Sequence, residues 1–170
     1  MKKTAFIFLT CLLVVNIYSQ TGIDKKNTIG AHVSRSHGNF ADYGLSGTTF
    51  GVGIDYSRKL SERWSVCSGF KRFVANVREN YDFISIAMPV EFKRHYNIFF
   101  INFGSYLEAL QFRYKEHNAK YLMYWGVGCK FGIGLEPEFK NGITLSLNPY
   151  VIIGYLNLQA GVSLGMGYKF

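Results

Sequence analysis

From Gly47 to Phe170, apolar side chains alternate with small ones at period two, and no other feature constrains the fold of this chain as much. Successive side chains of a strand point to opposite faces, so period two marks strands that show one face to an apolar medium. In the segment Thr48 to Lys59 the apolar set is Phe50, Val52, Ile54 and Tyr56, against Thr49, Gly51, Gly53, Asp55 and Ser57. Trp64, Val66 and Phe70 alternate with Ser65, Gly69 and Lys71; Ile84, Ile86, Met88, Val90 and Phe92 oppose Ser85, Ala87, Pro89 and Glu91. The pattern recurs as Phe99, Ile101, Phe103 and Leu107 against Asn102, Gly104, Tyr106 and Glu108, and as Trp125 to Ile133 against Gly126, Gly128, Lys130, Gly132 and Gly134. Ile143 to Ile153 and Val162 to Phe170 supply two more, and Asn27 to Ser34 a weaker one. Helical spacing is sustained nowhere. The reading is all-β, with eight strands, an even number.

The identity of the second set decides which face is the core. In a soluble barrel the interior is apolar and the exterior, which meets water, is charged. Here the second set is mostly Gly and Ser with single charges, too small and too sparsely charged for a water-facing surface. Gly and Ser suit the crowded interior of an eight-stranded barrel, which is just wide enough to be filled by side chains. The apolar set then faces lipid. The expectation is an eight-stranded antiparallel up-and-down transmembrane β-barrel.

On this reading Asp55, Lys71, Glu91, Glu108, Lys130 and Lys169 all point inward, three acids and three bases. Unpaired charges there would carry a large desolvation cost, so balanced signs predict a lumen closed by salt bridges. An aqueous channel needs about 16 strands, twice the number available. Pro89 and Pro149 each lack a ladder donor and predict a bulge or a local break in pairing.

The first 19 residues read as an export signal: Lys2 and Lys3 are its positive region, Ala5 to Val15 its apolar region and Ser19 the small residue before cleavage. Residues 20–170 then form the barrel domain. Cys11 follows Phe8-Leu9-Thr10, a poor lipidation sequence, and leaves with the signal. Cys67 and Cys129 remain in a disulfide-permissive setting, but the alternation puts them on opposite faces, which argues against a bridge. The net charge of +8 is not gathered on one stripe, which argues against a nucleic-acid partner. With no C-x-x-C or paired His spacing, neither a metal nor another cofactor is expected.

Connection lengths predict which end is which. If the chain starts in the periplasm, the linkers at Leu60-Ser61-Glu62, His95-Tyr96 and Glu136 to Asn141 are periplasmic and short. Arg35 to Ser46, Val74 to Tyr81 and Ala109 to Lys120 are longer and polar, and Leu156 to Gln159 is short; short turns inside and longer loops outside are the outer-membrane pattern. Tyr56, Trp64, Phe92, Tyr96, Trp125 and Tyr168 fall toward strand ends, where aromatic girdles lie.

The ending Gly165-Met166-Gly167-Tyr168-Lys169-Phe170, with Val162, Leu164, Met166, Tyr168 and Phe170 at every second place, resembles the C-terminal signal by which outer-membrane barrels are recognised for insertion. The segments Ile84 to Phe92 and Leu147 to Tyr155 resemble strands of the small outer-membrane barrels common in Bacteroidetes, PorT-like and OmpX-like. That resemblance implies an eight-stranded barrel inserted by the outer-membrane assembly machinery. It does not imply service in the secretion system for which PorT is known.

Some eight-stranded barrels modify lipids, and His32-Val33-Ser34 is the one cluster to weigh for such chemistry. Alternation puts His32 and Ser34 on the inward face, spaced as in the His-x-Ser of lipid A deacylases. A third, acidic residue would have to orient the histidine. In the deacylases that motif lies late in the barrel, and here it lies on the first strand. His37, His95 and His117 read as solvated loop residues. The external contact candidates are Tyr81, Phe112, Tyr114, Lys115 and His117, residue types able to meet a partner, a ligand or lipopolysaccharide phosphates. The reading is a monomeric, non-catalytic outer-membrane barrel with lipids and lipopolysaccharide as partners. A lipid-modifying barrel enzyme and a secreted soluble barrel carrying a small apolar ligand are the alternatives.

Overall fold

The computed structural model describes residues 27–40, 45–76, 81–114, 122–155 and 157–170. Eight strands follow in chain order: β1 (Asn27–Phe40), β2 (Leu45–Lys59), β3 (Trp64–Asn76), β4 (Tyr81–Tyr96), β5 (Phe99–Tyr114), β6 (Leu122–Leu135), β7 (Ile143–Gly154) and β8 (Asn157–Lys169). Each pairs antiparallel with the next, and β8 pairs with β1, so the sheet is a closed up-and-down barrel. Asn27 and Phe170 complete the seam, each backbone N–H donating to the other's carbonyl at 2.7 and 2.8 Å. Closure removes both sheet edges, and every strand then has two neighbours.

The register fixes the shape. Ile29 on β1 pairs with Tyr56, Tyr56 with Ser68, and the path continues through Val90, Ser105, Cys129, Ile153 and Leu158 to Asn39 on β1, ten residues further along. A ten-residue shift over eight strands tilts them roughly 40° to the axis, on a backbone cylinder about 17 Å across. Strands of this length then rise roughly 30–40 Å, more than the apolar band of about 25 Å that a membrane covers.

The excess lies at the end remote from Asn27 and Phe170. There the outward positions turn polar, with Arg35, His37, Asn39, Ser46, Thr48, Arg72 and Gln111. This corrects the expected linkers. Arg35 to Phe40, Val74 to Asn76 and Ala109 to Tyr114 are strand, which leaves at most residues 41–44, 77–80 and 115–121 between the strands at this end. At the terminal end the intervals are 60–63, 97–98 and 136–142, and His95-Tyr96 belongs to β4. No interval at the remote end is therefore longer than the longest at the terminal end, and the expected contrast of short turns with long loops does not hold. In β1 the ladder continues past the apolar band with polar residues on both faces, and in β5 Leu110 turns inward while Gln111 turns outward; either way the alternation with the apolar set outward is lost. In the tight turn after β4, Asn97 adopts φ 60°, a left-handed conformation that asparagine accepts more readily than most residues.

Both prolines coincide with a lapse in pairing. The β3–β4 ladder runs to Ser68↔Val90 and resumes at Lys71↔Ala87 around Pro89, and the β6–β7 ladder skips from Gly132↔Tyr150 to Leu135↔Leu147 around Pro149. The register is the same on both sides of each gap. These are ladder breaks without a bulge, at the places where proline has no N–H to donate.

Candidate functional site

The interior is built by pairing large polar residues with glycine. Across neighbouring strands Glu91 faces Gly104, Gly104 faces Lys130, Lys71 faces Gly53, Asp55 faces Gly30 and Gly69, and Asn102 faces Gly132. Each missing side chain leaves room for the long one beside it to cross the lumen. Two carboxylates organise what crosses. Lys130 donates to both oxygens of Glu91 at 2.8 and 2.9 Å, Lys71 to one at 3.3 Å, and the Asn102 amide to the other at 2.5 Å. Glu108 accepts from the Ser85 hydroxyl and, at 2.5 Å, from the Asn157 amide, whose carbonyl accepts the Tyr106 hydroxyl at 2.8 Å.

The six inward charges are thus distributed over several partners. Lys71, Glu91 and Lys130 come together. Asp55 is bonded by His32 Nδ1 at 2.8 Å, and Lys169 reaches Glu138 in the interval after β6 at 2.5 Å. Glu108 corrects the expectation of a salt bridge, because neutral donors hold it in place of a cation. Alternation identified the inward set, but not Lys93, a further inward base that pairs with Glu136 at 2.5 Å. It also missed Asn102, Asn157 and Ser85 as partners, since only the register says which inward residues are level with one another.

The interior changes character along the axis. A cavity of about 70 Å³ lies between His32, Asp55, Lys71, Glu91, Thr144 and Ser163. A wider opening of about 300 Å³ at the terminal end is lined by Lys59, Glu62, Ser65, His95 and Lys169. Beyond Glu91, Phe73, Ala87, Tyr106, Tyr150 and Ile152 form a buried apolar cluster, and Phe83, Leu110, Thr49 and Gln159 are shut off from solvent. The lumen is filled at its remote half and hydratable at its terminal half.

The outside is the reverse. Val127 and Ile133 are each 65% exposed, as are Phe50, Ile54, Trp125, Phe131 and Met166 at more than half, whereas Glu91 is 6% exposed. Val162, Leu164, Met166, Tyr168 and Phe170 all stand on the outward face of the β8 segment and are exposed. Cys67 is inward and buried, Cys129 outward and exposed, and both are free thiols.

His32 and Ser34 do face inward. Asp55 is the acid that orients the histidine, yet His32 Nε2 has no hydrogen-bond partner among the described residues and Ser34 is buried in the wall. Among the described residues no cluster of His, Cys, Asp or Glu could hold a metal. Residues 1–19, Lys115 and His117 lie outside the described residues, as do the side chains of Tyr81, Phe112 and Tyr114.

No protein-family model and no curated protein matches the sequence. Solved structures do. Ail, the attachment invasion locus protein of Yersinia pestis, superposes with a TM-score of 0.63 at 15% identity, covering 87% of this chain and 100% of its own. Neisserial surface protein A gives 0.61 at 12% identity over 85% of this chain and 97% of its own. The N-terminal β-barrel domain of OprF from Pseudomonas aeruginosa gives 0.54 at 10% identity over 83% and 97%. At these identities the likeness is one of fold, and the chain is a closed eight-stranded antiparallel barrel of the architecture that these proteins share.

Proposed function

We propose that this chain is a monomeric, non-catalytic β-barrel of the bacterial outer membrane, with a structural or surface-interaction role. The observation that carries the reading is the inversion of the two faces, with large apolar side chains exposed around the wall and charged ones buried within it. A soluble barrel carrying an apolar ligand needs an apolar interior, and the cavity here is lined by charges and hydroxyls. Residues 1–19 serve as a cleaved export signal, and the assembly machinery reads the outward stripe from Val162 to Phe170. The terminal end faces the periplasm and the polar rim faces outward, where Tyr81, Phe112, Tyr114, Lys115 and His117 are candidates to meet lipopolysaccharide or a surface partner. The sequence segments around Pro89 and Pro149 favour the PorT-like, OmpX-like type of small barrel.

Gel mobility tests the reading. In purified outer membranes the unheated protein is expected to migrate faster in SDS than the boiled one, because a closed barrel has no edge from which to unravel. Soluble protein with no mobility shift would overturn it.

The lipid A deacylase-like alternative has one supporting observation, the bond from His32 to Asp55. Against it, Ser34 faces the filled lumen, whereas an acyl chain lies outside. Ser34→Ala is expected to leave both lipid A acylation in cells and the mobility shift unchanged; loss of acyl editing would instead make Ser34 the nucleophile.

A further inference from the structure

The strands sort their two kinds of base by face. Lys59, Lys71, Lys93, Lys130 and Lys169 all line the lumen or its mouth. Arg35, Arg58, Arg72 and Arg94 all take outward positions, and among the described side chains of the strands no acid does. An arginine on a lipid-facing wall is costly at the bilayer midplane and nearly free at the interfaces, where a headgroup can supply its counter-charge. Among the described residues the protein itself supplies no carboxylate to any of the four.

Arg58 and Arg94 are the more informative pair. They sit at the terminal end on the strands either side of β3, where Arg58 pairs with Val66 and Arg94 with Trp64. Arg94 lies between two rings, 5.3 Å from the centroid of Trp64 and 5.1 Å from that of Tyr96. Phe103 extends the surface, edge-on to Trp64 at 6.2 Å and stacked on Phe92 at 5.9 Å. Val66, although outward, is buried at 8% exposure. The Nε of both arginines is shut off from solvent without a hydrogen-bond partner, and among the described residues neither guanidinium has an ion pair. The outward wall here has a covered apolar floor, an aromatic border and two unmatched guanidiniums.

We infer that Arg58 and Arg94, with Trp64 and Tyr96, form a binding site for the headgroup phosphate of a glycerophospholipid in the leaflet at the terminal end. A guanidinium matches phosphate with paired N–H donors, and stacking on aromatic rings holds it in place beforehand. The acyl chains run along Phe92, Phe103 and the apolar wall beyond. The inference rests on the membrane reading above and deepens it.

The test is native mass spectrometry of the full chain in detergent, titrated with dioleoylphosphatidylglycerol and, separately, with phosphate-free dioleoylglycerol. The wild type and an Arg35→Gln/Arg72→Gln variant are expected to retain one phosphatidylglycerol. Arg58→Gln/Arg94→Gln is expected to bind it at least about tenfold more weakly, for loss of two charge-assisted contacts. Dioleoylglycerol should not be retained. Equal binding by both double variants, or equal retention of the phosphate-free lipid, overturns the site. The single variants Arg58→Gln and Arg94→Gln serve if the double variant fails to fold, and each should weaken binding. Gel mobility of the same samples separates the two failures. With the heat shift present and lipid binding unaltered, only the site falls; with no heat shift in the wild type, the membrane reading falls and the site with it.

Discussion

Gly104→Ala is expected to destabilise the barrel by about 3 kcal/mol, at the upper end of what one added methyl does in a packed interior. A Cβ placed at Gly104 would lie 2.1 Å from the carbonyl oxygen of Val90 and 2.6 Å from the Cα of Glu91. Both are backbone atoms of the neighbouring strand, so no side-chain rotation relieves the overlap and β4 and β5 must separate where Glu91 crosses the lumen. Gly30 is the control. Its added Cβ meets the Asp55 carboxylate at 3.1 Å, the end of a side chain that can give way, and Gly30→Ala is expected to stay within about 1 kcal/mol of the wild type. Urea unfolding in lipid vesicles, followed by the fluorescence of Trp64 and Trp125, measures both. Equal effects would mean that the ladder yields as easily as a carboxylate.

Such a contrast explains how much of this protein could be read from its residues. Alternation sufficed for the strand count, for the face that side chains take within the apolar band and for the opposite placement of Cys67 and Cys129, because parity is a local property of a strand. The ends of the strands were not legible. Arg35-Ser36-His37-Gly38-Asn39 has no apolar member, and a polar stretch that stays in a ladder beyond the apolar band looks in sequence like a loop. The site was half legible for a related reason. That Asp55, Glu91, Glu108 and Lys130 share the interior follows from parity, but that Glu91 meets Lys130 while Glu108 meets Asn157 follows from register around the whole barrel. Asn157 and Glu108 are 49 residues apart in sequence. No local pattern carries that.

The second large effect concerns the charge that register places at the centre. Glu91→Leu is expected to cost about 3–5 kcal/mol, the range found when one partner of a buried ion pair is removed. The reason lies in the unequal count. Glu91 is one carboxylate between two ammonium groups, Lys71 and Lys130, and it accepts from Asn102 as well. Without it two positive charges remain side by side, and Asn102 loses its acceptor. Lys71→Met removes the longer of the two contacts, 3.3 Å against 2.8 Å, and leaves the Glu91–Lys130 pair neutral as a whole. It is therefore expected to cost about 1 kcal/mol or less, since the large penalty of a broken buried pair comes from the ion left uncompensated, and here Glu91 keeps Lys130 on both oxygens. The combination Glu91→Leu/Lys71→Met should recover part of the loss, because Lys130 then faces no second cation. Equilibrium unfolding in the same vesicles decides among these, with unchanged m-values as the condition for comparing midpoints. Should Glu91→Leu and Lys71→Met cost the same, the ordering by charge balance is wrong, and the cavity beside Glu91 holds enough water to solvate either ion alone.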